Sequence, residues 1–383
     1  RKIEARLLTI LSFEESTNKG REKEKANNRT KNHHTMKTST FQLLAVFRCG
    51  SSFILPEPSL KHNHHHQQSQ PLLESSTFTH STIPNEYIFS SSSLSASKRA
   101  QSVESFKVMD VLARANELQA EGHDVLHCGA GQPQSGAPET VNSAAIAALT
   151  NPTEKLGYTD SMGLLELRAT IARHYLSRYD DVPESSVDTS RIVVTTGSSG
   201  AFLLAFTAAF DAGDTIAIAS SGYPCYRNIL GALGCKLQNV DVNADFKLTA
   251  TELRAELERR SKAGESKIKG LILSSPSNPT GAMLTPDELQ KLCKLCDDEG
   301  IQFLSDEIYH GISYGKEEAT ALSYTDKAIV INSFSKYYSM AGWRLGWMVI
   351  PESLEESINA LQQNMFINAP TISQTAALKC WDK

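Results

Sequence analysis

The 383-residue sequence lacks any apolar run near the roughly 18 residues that cross a bilayer as a helix, so no membrane-spanning helix is expected. It also lacks an excess of positive charge. The formal net charge is −5, which offers no global field for nucleic acid or an anionic membrane. Cysteine is sparse: the 7 Cys are an odd, scattered set (Cys49, Cys128, Cys225, Cys235, Cys293, Cys296 and Cys380), unlike a disulfide framework, and a reducing compartment follows. Cys293 and Cys296 form a C-x-x-C, but no second pair lies near enough to complete a zinc site. The surrounding Leu289-Gln-Lys-Leu-Cys-Lys-Leu-Cys296 reads as one face of an amphipathic helix, and no metal is expected.

Other absences divide the chain. Residues 1–35 contain no Met and no apolar period, and the first Met is Met36; a leader or an error in the gene structure accounts for such a start. From Met36 to about Ala100 the chain has few acidic residues, a histidine cluster at 62–66 and the run Ser90–Ser93. Segment 1–96 is therefore expected to be low-complexity and without a buried core. Its basic, Ser-rich composition fits a transit peptide and hence an organelle; without one, the cytoplasm is expected. Phe41-Gln-Leu-Leu-Ala-Val-Phe47 is a weak apolar core for a secretory signal, and the histidines are a weaker candidate for metal.

What is present from about Ser97 onward is alternation. An amphipathic helix is predicted from Val108, and others at Gly163–Tyr175, Ala201–Phe210, Ala250–Arg259 and Thr285–Cys296. Between them come β-rich runs at Arg191–Thr196, Thr215–Ser220, Lys236–Val242, Gly270–Ser275, Gln302–Asp306, Ala328–Phe334 and Gly346–Ile350. This pattern predicts an α/β fold with a mostly parallel, buried sheet, whose chemistry should sit beyond the carboxyl ends of the strands.

Four features stand at those ends. Gly197-Ser198-Ser199-Gly200, between a strand and a helix, could cradle a phosphate on free backbone N–H groups, although a plain capping turn explains it too. Ser333-Phe-Ser-Lys336 delivers an amine to a strand end, and Arg344 follows eight residues later with a fork suited to a phosphate. Asp306 closes an apolar strand, where a carboxylate calls for a cationic partner or acts as a helix cap. Ser275-Pro-Ser-Asn278-Pro-Thr-Gly281 aims an amide from a rigid turn. A cap or a tight loop explains any one of these and not the set.

In this order the motifs closely resemble those of the class I/II aminotransferases, fold type I of the pyridoxal-phosphate enzymes, over about residues 97–383. The resemblance implies a three-layer α/β/α fold with a mostly parallel seven-stranded sheet, pyridoxal 5′-phosphate as cofactor, and transfer of an amino group from an amino acid to a 2-oxo acid through a pyridoxamine form. It further implies that Lys336 is the Schiff-base lysine and proton shuttle. Asp306 is similar to the partner of the pyridinium nitrogen, and Tyr309 and Asn278 to the donors to the phenolic oxygen. Tyr223 resembles the aromatic that stacks on the ring, and Ser198, Ser199, Ser333 and Arg344 match phosphate-binding positions. Gly131 resembles the backbone contact to the substrate carboxylate. Tyr158 looks like the tyrosine that reaches the neighbouring subunit's phosphate, which implies a homodimer with shared sites.

By the same resemblance, 97–150 leads into a cofactor-binding large domain at 151–383, and a small domain is missing. Only the 47 residues 337–383 follow Lys336, with no Arg after Arg344 to bind the substrate carboxylate, so a truncated and poorly active chain is expected. Two alternatives stand beside the transaminase: a β-eliminating carbon–sulfur lyase on the same scaffold, and a non-catalytic ligand-binding or interaction protein.

Overall fold

Along each predicted strand, successive residues face opposite ways, and in all but the polar run at Lys236–Val242 both faces are largely apolar. In the computed structural model, which describes residues 95–129, 131–153 and 156–382, all seven runs become strands of one sheet. They are β1 (Ile192–Thr195), β2 (Thr215–Ala219), β3 (Lys236–Val240), β4 (Ile268–Ser274), β5 (Gln302–Asp306), β6 (Ile329–Ser333) and β7 (Gly346–Val349). The spatial order is β1-β7-β6-β5-β4-β2-β3. All neighbours are parallel except β7, which runs antiparallel to both β1 and β6. That reversal brings the residues just before β7 to the edge where the other strands end.

Besides a single turn at Lys98–Gln101, the α-helices among the described residues are α1 (Lys107–Ala120), α2 (Glu139–Thr150), α3 (Leu165–Arg178), α4 (Gly197–Ala209), α5 (Pro224–Leu233), α6 (Ala250–Ala263), α7 (Pro286–Glu299), α8 (Glu355–Met365) and α9 (Thr371–Ala377). Two apolar cores lie on opposite faces of the sheet. One joins Ile192, Val194, Leu271 and Val330 to α3, α6, α7 and α9 through Leu167, Ile171, Leu253, Leu292 and Ala376. The other joins Val193, Ile216, Ile272 and Ile331 to α4, α5 and α8 through Phe202, Phe206, Leu230 and Ile358. The result is the expected three-layer α/β/α arrangement. Cys293 and Cys296 face the first core, both fully buried, as a helix face should be.

Several boundaries differ from the sequence reading: α6 runs on to Ala263 and α7 to Glu299, past the predicted Arg259 and Cys296. Helix α4 starts at Gly197, not Ala201, because the Gly/Ser turn is itself helical. Helix α3 runs three residues past Tyr175 to Arg178. No helix among the described residues is long and apolar enough to cross a membrane, and no group of three metal-ligating side chains occurs among them. The expectations for residues 1–94, including targeting and the histidine cluster, lie outside the described residues.

Candidate active site

Strand registers assemble the site. Gly346 at the start of β7 lies opposite both Thr195 and Ser333, so the ends of β1 and β6 and the start of β7 meet. Beyond β1, Gly197, Ser198 and Ser199 form the first turn of α4, and no side chain caps its N-terminus. That leaves backbone N–H groups and the positive end of the helix dipole facing outward. Gly197 has φ +67°, and a Cβ there would come within 2.7 Å of Arg344 Nη2. Arg344 itself takes a left-handed conformation (φ 53°, ψ 51°), with Nη1 donating to Ala341 O at 2.9 Å. A Cβ on Gly346 would lie 2.9 Å from Ser198 N and 3.0 Å from Asn332 O. Two glycines thus make room for a guanidinium and a helix N-terminus to converge. Ser198 is half-buried and Ser199 exposed at this cup. Ser333, by contrast, is buried and donates its hydroxyl to Leu345 O (3.1 Å) or Ser335 Oγ (2.9 Å), bracing the loop that leads to Lys336.

Two strands away, Ser274 at the end of β4 pairs with Asp306 at the end of β5. Asp306 is 4 % exposed. Its Oδ1 accepts from Ile308 N at 3.2 Å, a local turn bond rather than a helix cap, and its Oδ2 accepts from the Tyr226 hydroxyl. No Lys, Arg or His among the described residues pairs with it. Burial raises its pKa to about 6, against the lowering effect of the Tyr226 hydroxyl. Tyr226 lies one turn along α5 from Tyr223, the two rings meeting edge-on at 5.4 Å. Burial pushes the Tyr223 hydroxyl up to about 12.

Lys336 is half-buried, and burial lowers its pKa from the ordinary lysine value. Its Nζ donates to Gly131 O at 2.6 Å and lies 5.8 Å from the centre of the Tyr309 ring. Asn278 Nδ2 donates to the Tyr309 hydroxyl at 3.2 Å. Lys336, Gly131, Tyr309 and Asn278 are therefore linked neighbours, although Gly131 lies 205 residues before the lysine. Tyr158 is different: it is 83 % exposed, and within one chain nothing draws it into the cup.

Three residues escaped the sequence reading. Tyr226 reads as one apolar position of α5; its spacing from Tyr223 puts both on one helix face, but its partner Asp306 is 80 residues away. Glu307 and His310 flank Asp306 and Tyr309, and both are buried in polar contacts described below.

The sequence pattern described as aminotransferase class I and II matches residues 123–383. A valine–pyruvate aminotransferase of Mycobacterium tuberculosis is 42 % identical over 279 residues, covering 72 % of this chain and 69 % of that protein. A (5-formylfuran-3-yl)methyl phosphate transaminase of Methanocaldococcus jannaschii is 37 % identical over 292 residues, covering 75 % of this chain and 72 % of that one. Among solved structures, an aminotransferase from M. tuberculosis superposes with a TM-score of 0.68 at 43 % identity, covering 74 % of this chain and 70 % of its own. The aspartate aminotransferase of Thermus thermophilus with maleate gives 0.68 at 27 % identity, over 75 % of this chain and 72 % of its own.

Proposed function

The chain belongs to the class I and II aminotransferases and is a transferase of that family, and on that premise we propose that Lys336 and the groups around it hold pyridoxal 5′-phosphate and pass an amino group from an amino acid to a 2-oxo acid. Members of the family are generally pyridoxal-phosphate-dependent. The residues present here fit that group. Asp306 is a buried carboxylate with no cation beside it among the described residues, and a protonated ring nitrogen would complete it. Gly197 and Gly346 leave a cup of N–H groups beside the Arg344 guanidinium, matched to a phosphate dianion.

When bound, pyridoxal 5′-phosphate supplies an electrophilic carbon and an electron-withdrawing ring. Lys336 would hold that carbon. Its lowered pKa enlarges the fraction of neutral, nucleophilic amine, and the same Nζ would carry protons during transfer. Asp306 would keep the ring nitrogen protonated, with Tyr226 orienting the carboxylate. Tyr309 and Asn278 would donate to the phenolic oxygen. Tyr223 would stack on the ring face. Ser198, Ser199 and Arg344 would bind the phosphate directly, with Ser333 beside them. The backbone of Gly131 would meet the substrate carboxylate. Tyr158 would reach the phosphate bound by a second copy, making a homodimer with shared sites. Residues 151–383 would form the cofactor-holding domain, entered through 97–150.

The observation that carries this reading is Asp306, buried without a cationic partner among the described residues, at the same sheet edge as Lys336. The test is transfer itself: incubation of the holo chain with amino acids and 2-oxo acids, following new amino acid. Product that requires the oxo acid and vanishes in Lys336→Ala supports the reading. Ammonia and an oxo acid released from a cysteine conjugate with no acceptor present would replace it with a β-eliminating lyase.

A further inference from the structure

His310, directly after Tyr309, is 7 % exposed and lies between three segments. Its Nε2 is 2.9 Å from the carbonyl oxygen of Ser275, three residues before Asn278. A carbonyl only accepts, so Nε2 carries the hydrogen. In the neutral ring Nδ1 is then an acceptor, and the Tyr179 hydroxyl at the end of α3 lies 2.6 Å from it. Glu307 fixes the turn from the other side. Its Oε1 accepts from Ser305 Oγ (3.0 Å), Thr320 Oγ1 (3.1 Å) and Ala321 N (3.0 Å), while Oε2, 3.5 Å from His310 Nδ1, has no hydrogen-bond partner. The Ser275 N–H donates to Asp306 O at 3.2 Å. The loop after β4 is therefore tied to the end of β5 at two points, one by backbone and one by His310.

We propose that His310 is a positioning residue of the active site: it fastens the Asn278-bearing loop to the Tyr309-bearing turn and so fixes the spacing of the two donors that serve the cofactor's phenolic oxygen. This rests on the assignment of Asn278 and Tyr309 to that oxygen. An apolar side chain of similar size would fill the space but leave the Ser275 carbonyl and Tyr179 hydroxyl without their partner. The loop would then slacken where Asn278 meets Tyr309, without any loss of a group that touches the cofactor.

The test compares His310→Leu, which cannot donate, with His310→Gln, whose amide can reach Ser275 O, in the full chain reconstituted with pyridoxal 5′-phosphate. Donors to the phenolic oxygen stabilise its anionic form. A slackened pair should therefore raise the pH midpoint of the bound cofactor's visible absorption by about one pH unit, with affinity about tenfold weaker, the size of one hydrogen bond partly lost. His310→Gln should return both toward the unsubstituted values. If His310→Leu does not fold, His310→Asn, with an amide too short to reach Ser275, takes its place. An unmoved midpoint, even with a lower melting temperature, would make His310 a core residue only and overturn the proposal. Absence of a pH-responsive band in the unsubstituted chain would instead overturn the cofactor assignment, and this proposal with it.

Discussion

Asp306 shows how one buried charge can be costly for the fold and useful for the site. In the cofactor-free chain its folded pKa is about 6, above the roughly 3.9 of an unfolded aspartate. An acid raised in this way favours folding in its protonated form. The contribution of Asp306 is thus most favourable below about pH 4 and is lost as the pH rises through about 6, and its full cost of about 3 kcal/mol is present at neutral pH. Asp306→Asn should therefore raise the melting temperature of the cofactor-free chain at pH 8, with little change near pH 4, while abolishing amino transfer; no pH-dependent difference between the two chains would contradict the burial argument. Tyr226→Phe removes a charge-assisted hydrogen bond worth about 1.5–3 kcal/mol. It should raise the pKa of Asp306 further and slow transfer roughly ten- to hundredfold, readable in kcat and in the pH dependence of melting.

At the scale of elements, the cup depends on close approach. Gly346→Ala would press a methyl group against Ser198 N and Asn332 O, and Gly197→Ala would add left-handed strain of about 1–2 kcal/mol along with a collision with Arg344. Either should weaken cofactor affinity more than tenfold by equilibrium titration. Thr285→Ala, which removes the capping box of α7 on the sheet's other side, should cost about 1 kcal/mol of stability and leave affinity unchanged. These elements were largely legible in the sequence. Apolar runs marked the interior strands because a sheet covered on both faces needs apolar residues throughout, whereas the edge strand β3, Lys-Leu-Gln-Asn-Val, is largely polar. Lys336, Asp306, Asn278 and Arg344 stood out because polar residues at the ends of such strands are unusual. The reversal of β7 was not legible, since a short buried strand carries no directional signal. Helix α4 read short because glycine and serine disfavour helix interiors and look like loop. Tyr226, Glu307 and His310 stayed hidden because their partners are set by tertiary packing: Tyr179 reaches His310 across 131 residues.

For the whole molecule, the site of a single chain leaves Tyr158 outside, 83 % exposed. If a second copy receives it, Tyr158→Ala should weaken cofactor retention about tenfold, the value of one hydrogen bond to a charged oxygen. Mixing that variant with Lys336→Ala, which cannot form the lysine linkage, should return tight cofactor retention, because one site of each hybrid dimer then has both intact residues. Mixtures that do form dimers but retain cofactor no better than Tyr158→Ala alone would show that the sites are not shared. The central claim is narrower: this chain holds pyridoxal 5′-phosphate on Lys336. Its most direct measurement is to load the purified chain with the cofactor, reduce it with borohydride and map the modified peptide by mass spectrometry. The account predicts one adduct, on Lys336, lost in Lys336→Ala; a folded chain that carries no adduct there, or adducts spread evenly over surface lysines, would contradict it.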